Sequence, residues 1–129
     1  VDRTIEGGLL RYCQEQGIAV IAHSPLARGL RHIKERDPDH VLRRVSALTG
    51  KSEAQVALNW CLSKDAVIAI PKASSGDHVQ EDCEASGWRL SPEHIGLLDR
   101  GIGFRRRGYV EGALRRMARH SLQTLGRNQ

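Results

Sequence analysis

Ala66-Val67-Ile68-Ala69-Ile70-Pro71-Lys72-Ala73-Ser74-Ser75-Gly76-Asp77-His78-Val79-Gln80-Glu81-Asp82-Cys83-Glu84-Ala85 changes character twice along its length. Ala66 to Ile70 are small or branched apolar residues, the pattern of a short strand buried on both faces. Pro71 removes a ladder donor and ends it. Lys72, Ala73, Ser74, Ser75 and Gly76 make a small polar turn. Asp77 then opens a short helix, where a carboxylate suits the positive end of the helix dipole. A loop of this kind gathers a lysine, hydroxyls and free backbone N–H groups at one point, which is an anion site and most naturally a phosphate site. The same residues also read as a plain strand-to-helix connection with a solvated lysine, and spacing alone leaves the two open.

Working outward, Ile18 to Ala22 forms a second continuous apolar run and reads as another buried parallel strand. Before it, Ile5, Leu9, Leu10, Tyr12 and Cys13 recur at roughly helical spacing within residues 3–16, and Gly17 stands where a helix-ending glycine would. After it come the loop His23 to Leu30 and the pair Asp37-Pro38, placed as N-cap and first residue of a helix that reaches Leu48 and closes near Gly50. Ser52 and Gln55 have capping-box spacing and open a helix that turns Val56, Ala57, Trp60 and Cys61 inward. Ser91 and Pro92 repeat the N-cap pattern ahead of Ile95, Leu97 and Leu98. Helix–strand–helix–helix–strand–helix predicts an α/β fold with a parallel sheet. Two strands are too few for a finished sheet, because both edges keep unpaired backbone groups.

At 129 residues the chain is one domain at most. No apolar run approaches a membrane span. Cys13, Cys61 and Cys83 are isolated in the sequence, which fits reduced, buried thiols of a cytoplasmic protein better than disulfides or metal ligands. The chain opens without Met and is expected to belong to something longer. Its net charge of +5 is unevenly spread. From Arg100 onward there are eight arginines against one acid, Glu111, so the remainder is close to neutral.

Ile70-Pro71-Lys72-Ala73-Ser74 followed by His78-Val79-Gln80-Glu81-Asp82 resembles the cofactor-binding end of the aldo-keto reductases. His23-Ser24-Pro25-Leu26 is similar to the aromatic-Ser-Pro-Leu motif after barrel strand seven of that family. The likeness extends through Gln55 to Trp60 and Gly87 to Glu93, and covers residues 1–100 in the right order. It implies a (β/α)8 barrel, of which this chain supplies the C-terminal portion, strands seven and eight with their helices. It also implies NADP(H) as cofactor, with Lys72 and Ser74 facing the adenosine 2′-phosphate. His78 would take the place of an arginine that stacks on adenine, and Glu81 and Asp82 would contact the adenine edge. His23 would stack on the nicotinamide, with Ser24, Pro25, Leu26, Arg28 and Gly29 along the pyrophosphate. The chain departs from the pattern at His78 for Arg, Asp82 for Asn and His23 for Tyr or Trp.

The family reduces carbonyls using Tyr, Lys, His and Asp from earlier strands, and no residue here matches them. No catalytic residue is therefore assigned, and the implied partners are the N-terminal part of the barrel and, in the complete enzyme, a small carbonyl substrate. His32, His40, His94 and His120 are too scattered for a metal site. Ser24 has His23 beside it, but neighbours at a strand end are expected to point apart. Residues 101–129 read as a basic extension, with an arginine-rich amphipathic helix over 109–120. Its arginines, Arg105 to Arg107 with Arg115, Arg116 and Arg119, lack the aromatic interleaving of a nucleic-acid module. They support only the alternative reading, a non-catalytic nucleotide-binding or basic adaptor module.

Overall fold

The computed structural model describes residues 3–27 and 29–103. The basic extension beyond residue 103 and the helix expected over 109–120 lie outside the described residues, as does Arg28. A 3-10 helix (Arg3–Gly7) leads into α1 (Leu9–Glu15), β1 (Val20–His23), α2 (Arg31–Lys34), α3 (Val41–Thr49), α4 (Glu53–Leu62), β2 (Val67–Ile70), α5 (Gly76–Cys83) and α6 (Pro92–Gly101). Among the described residues β1 and β2 form one parallel pair, in register from Val20 opposite Val67 to His23 opposite Ile70. The fold is α/β, as expected.

Local capping set most helix starts as the sequence indicates. Ser52 and Gln55 form the capping box of α4, Ser91 caps α6 with Pro92 in its first turn, and Gly50 ends α3 at φ 64°. Asp37 acts differently from expectation. The chain turns once more, with His40 N–H donating to the Asp37 carbonyl at 3.1 Å, and α3 starts only at Val41. The buried Asp37 carboxylate reaches forward and accepts from Val41 N–H at 2.7 Å and Leu42 N–H at 2.8 Å. It caps the helix from four residues away. The short α2 has no counterpart in the sequence reading. The helix expected over 3–16 is broken at Gly8, whose φ of 153° suits only glycine. That break turns Leu9 and Tyr12 to solvent and leaves Leu10 alone of its set fully buried.

The strands also differ from expectation. They run over 20–23 and 67–70, with Ala66 in a left-handed turn at φ 58°. They are not buried on both faces. Val20, Ala22, Val67 and Ala69 are half-buried on the face that α4 covers, while Ile21, Ile68 and Ile70 stand exposed on the other. No described helix packs on that second face, so alternation replaces two-sided burial. The core lies beside the sheet, where Ile33, Leu42, Val45, Val56, Trp60 and Leu98 close between α2, α3, α4 and α6.

Gly101 lets α6 approach α3. A Cβ there would meet Val41 Cγ2 at 2.5 Å, well inside contact distance. Overpacking costs about 1–3 kcal/mol, and the helix-propensity gain of about 1 kcal/mol from Gly to Ala offsets only part of it. Gly101→Ala is expected to lower the thermal unfolding midpoint, and adding Val41→Ala should recover part of the loss. A midpoint unchanged by Gly101→Ala would show that the two helices separate freely.

Candidate functional site: a groove at the carboxyl ends of the paired strands

Parallel pairing brings the loops after β1 and β2 to the same end of the sheet. α4 and α5 both start at that end too, with Ser52 to Ala54 and His78 beside the two loops. Between them lies a groove of about 640 Å³. One wall is Ser24, Pro25, Leu26 and Gly29 from the β1 loop. The other is Lys72, Ala73 and Ser74 from the β2 loop, with His78, Glu81 and Asp82 from α5. Ten of the residues singled out from sequence therefore meet in one place.

Three others do not join it. His23 lines a second groove of about 650 Å³ toward Leu10 and Cys61, and Ser24 and Pro25 border both grooves. Ile70 is exposed on the open face of the sheet, and Pro71 lines a smaller pocket behind the loop, beside Val79 and Cys83. Ser52, Glu53 and Ala54 also line the main groove and were not anticipated. The capping box that starts α4 was legible; that its first turn faces the loops follows only from the antiparallel run of α4 against β2.

His23 and Ser24 overturn the expectation that they diverge. Ser24 Oγ lies 3.0 Å from His23 Nδ1. Ser24 has left the strand, at φ 55°, and the left-handed turn swings its side chain back over the ring. The hydroxyl and the imidazole thus hold each other at the joint between the two grooves.

The charged groups of the main groove are unequally matched. Lys72 is exposed and forms no ion pair among the described residues. Glu53 is paired with Lys34 of α2. His78 Nδ1 lies 3.5 Å from Glu81 Oε2, one turn along α5. Burial pushes the Asp82 carboxyl above the usual carboxylate range, the neighbouring Glu81 charge pushes it further, and His78 opposes both. α5 itself is capped by Ser75, whose Oγ accepts from His78 N–H at 3.4 Å, so the helix opens one residue earlier than Asp77. No three His, Cys, Asp or Glu gather as a metal-binding group among the described residues.

The class is that of an α/β protein with a groove at the carboxyl ends of a parallel strand pair, lined by an exposed lysine among small residues and by the starts of two helices. The family follows from comparison: the sequence profile of the Aldo/keto reductase family matches residues 1–103, and the chain belongs to that family. It is 37% identical over 98 residues to the methylglyoxal reductase YeaE of Escherichia coli, a match covering 76% of this chain and 34% of that protein. It is 34% identical over 89 residues to the NAD(P)H-dependent 6'-deoxychalcone synthase of Glycine max, covering 66% of this chain and 27% of that one. Among solved structures, an aldo-keto reductase from Klebsiella pneumoniae in complex with NADPH superposes with a TM-score of 0.72 at 33% identity, over 82% of this chain and 37% of that one. The chain spans about a third of the length of the curated relatives it matches.

The thiols differ in environment, and not all are buried as the sequence suggested. Cys83 is exposed, and Cys13 and Cys61 are half-buried. Burial pushes the Cys61 thiol up to about 11. The thiolate is the reactive form, so Cys61 should be alkylated on the order of 100-fold more slowly than Cys83 at mildly alkaline pH. Time-resolved iodoacetamide labelling read by peptide mass spectrometry checks this; equal rates would mean that Cys61 is open to water.

Proposed function

We propose that this chain is the NADP(H)-binding portion of an aldo-keto reductase, an oxidoreductase that reduces aldehydes or ketones to alcohols. Residues 1–100 would supply strands seven and eight of a (β/α)8 barrel, with 101–129 as a basic extension. The observation that carries this reading is the groove made by both strand-end loops, with Lys72 exposed in it and without an ion pair among the described residues. Phosphate sites from the loops after strands seven and eight are general to such barrels. The open sheet face with Ile21, Ile68 and Ile70 supports a barrel in which further strands enclose it. Three free thiols, unpaired among the described residues, fit a cytoplasmic setting.

The residues present fit the cofactor. Lys72 offers a point charge for the 2′-phosphate, and Ala73, Ser74 and Gly29 leave room for close approach. His78 stands ready to lie against adenine, with Glu81 and Asp82 at its edge. Ser24, Pro25, Leu26 and Gly29 form the track for the pyrophosphate, and Arg28 would lie along it. His23, held by Ser24, marks the nicotinamide end. The bound nicotinamide supplies the hydride. No residue of this chain is assigned to proton transfer; that role falls to the N-terminal part of the barrel, as does most of the carbonyl pocket.

Two outcomes test this. The chain alone should show no NADPH-dependent reduction across a panel of reactive aldehydes, followed at the nicotinamide absorbance. Turnover that tracks the purified chain would mean that it carries its own acid. In a complete barrel, Lys72→Ala should weaken NADPH by about 1–3 kcal/mol, the scale of a hydrogen bond to a charged group, and leave NADH nearly unchanged. Fluorescence titration of both cofactors measures this. An equal loss for both would make Lys72 a support of the loop, and no loss for either would return the loop to a plain connection.

A further inference from the structure

α6 ends where α3 begins. Gly101 lies against Val41, and Gly103 N–H donates to the Arg36 carbonyl at 3.0 Å. That corner of the molecule is basic. Arg43 and Arg44 of α3 and Arg100 of α6 are exposed, and none of the three forms an ion pair among the described residues. The acids nearby are already engaged. Glu35 accepts from Arg31 Nε at 3.0 Å and lies 2.9 Å from His32 Nδ1. Asp37 is buried with both carboxylate oxygens on backbone N–H groups of α3, and Asp99 is shared by Arg3 and Lys64. Asp39 is the acid of this corner without a partner among the described residues. Leu48 stands one turn beyond Arg44 along the same side of α3 and is 67% exposed. A cation and a bare leucine thus share one stripe of the helix.

We propose that this corner, with the basic extension that continues from it, is a peripheral docking surface for an anionic phospholipid bilayer. The chain runs on from Gly103 into Arg105 to Arg107, and then into Arg115, Arg116 and Arg119 interspersed with Val110, Leu114 and Met117. Such a mixture of arginines and apolar residues suits the boundary between headgroups and acyl chains, where cations meet phosphate and apolar side chains leave water. The guanidinium fork matches phosphate oxygens, and it stays charged at any pH the bilayer meets. Nucleic acid also offers phosphates, but it gives an exposed leucine nowhere to go and stacks its bases on aromatic rings. α2, α3 and α6 carry no Phe, Tyr or Trp. None of Arg43, Arg44, Leu48 and Arg100 lines the strand-end groove, so the inference stands apart from the cofactor reading.

The test uses the full chain and vesicles of phosphatidylcholine with and without phosphatidylserine, at physiological ionic strength, with bound protein measured by co-flotation. Binding is expected to the mixed vesicles alone and should fall as salt is raised. Arg43→Gln combined with Arg44→Gln changes two exposed side chains, and circular dichroism checks that the fold is kept. The double variant should bind the mixed vesicles about five- to thirtyfold more weakly, from about fivefold per cation at an anionic surface. Equal binding to both kinds of vesicle, or a double variant that binds as the parent does, would overturn the proposal. Tighter binding per phosphate to a single-stranded RNA than to the mixed vesicles, at the same ionic strength, would also overturn it and assign the surface to nucleic acid.

Discussion

The parallel ladder between β1 and β2 is the constraint on which the site depends. A parallel pair cannot be joined by a tight turn; its crossover must carry the chain back along the sheet. Here α2, α3 and α4 do that, and the return puts the end of β2 level with the end of β1, His23 opposite Ile70. The two loops that follow, one opening with Ser24 and the other with Pro71, then leave from adjacent points. A slip of one residue would exchange Ile68 and Ile70 with Val67 and Ala69 between the open and the covered face, and would aim Lys72 away from Ser24. The groove in this chain is a consequence of register.

What keeps the helices in step with that register is polar and buried. Asn59, inside α4, donates through Nδ2 to the carbonyls of Ala85 and Trp88, both at 2.9 Å, and accepts from Leu90 N–H at 3.0 Å. One side chain thereby satisfies three backbone groups of the α5–α6 connection that no helix or strand can serve. It fixes α5, and with it His78, Glu81 and Asp82, against α4. At the far side Asp99 of α6 accepts from Trp60 Nε1 at 2.9 Å and from Arg3 at 2.9 Å, with Lys64 at 3.2 Å. Arg3 also stacks 4.8 Å above the Trp60 ring. Removing one member of such a network leaves the others desolvated and unmatched, which costs more than the bonds contribute.

The features legible in the sequence are those whose cause lies within one helical turn. Ser52 with Gln55, Ser91 with Pro92, and Gly50 act on neighbours three or four residues away, and the helices begin and end where they indicate. Asp37 has the right chemistry but acts beyond an extra turn, so its helix starts later than spacing suggests. The ladder residues Ile21, Ile68 and Ile70 show the opposite limit. An apolar run records that a residue prefers burial, not which neighbour covers it, and here a face stays open. Ser52, Glu53 and Ala54 were missed at the groove because proximity to the loops depends on the direction of α4 in space. Lys72 was legible because a strand, a proline and a run of small residues confine it to one place.

The described residues of the β1 loop combine strain with anchoring, and that combination holds a segment without regular structure in place as one wall of the groove. Ser24, Ala27 and Leu30 all take positive φ, at 55°, 46° and 69°, within a single short loop. Each such non-glycine residue costs on the order of 1 kcal/mol or more, and such positions persist only where the surroundings over-determine them. The surroundings do so here. Pro25 is buried, Leu26, Ala27 and Leu30 pack against the core, and the Leu30 carbonyl accepts from both Ile33 and Lys34 N–H at 2.9 Å. The Ser24 hydroxyl closes on His23 at the other end. The described residues of the loop are thus held at both ends and from below. The opposite wall is held by different means, the Ser75 cap and the Asn59 clamp behind α5. The two walls of the groove are thus anchored by separate contacts, each to the helices beneath it.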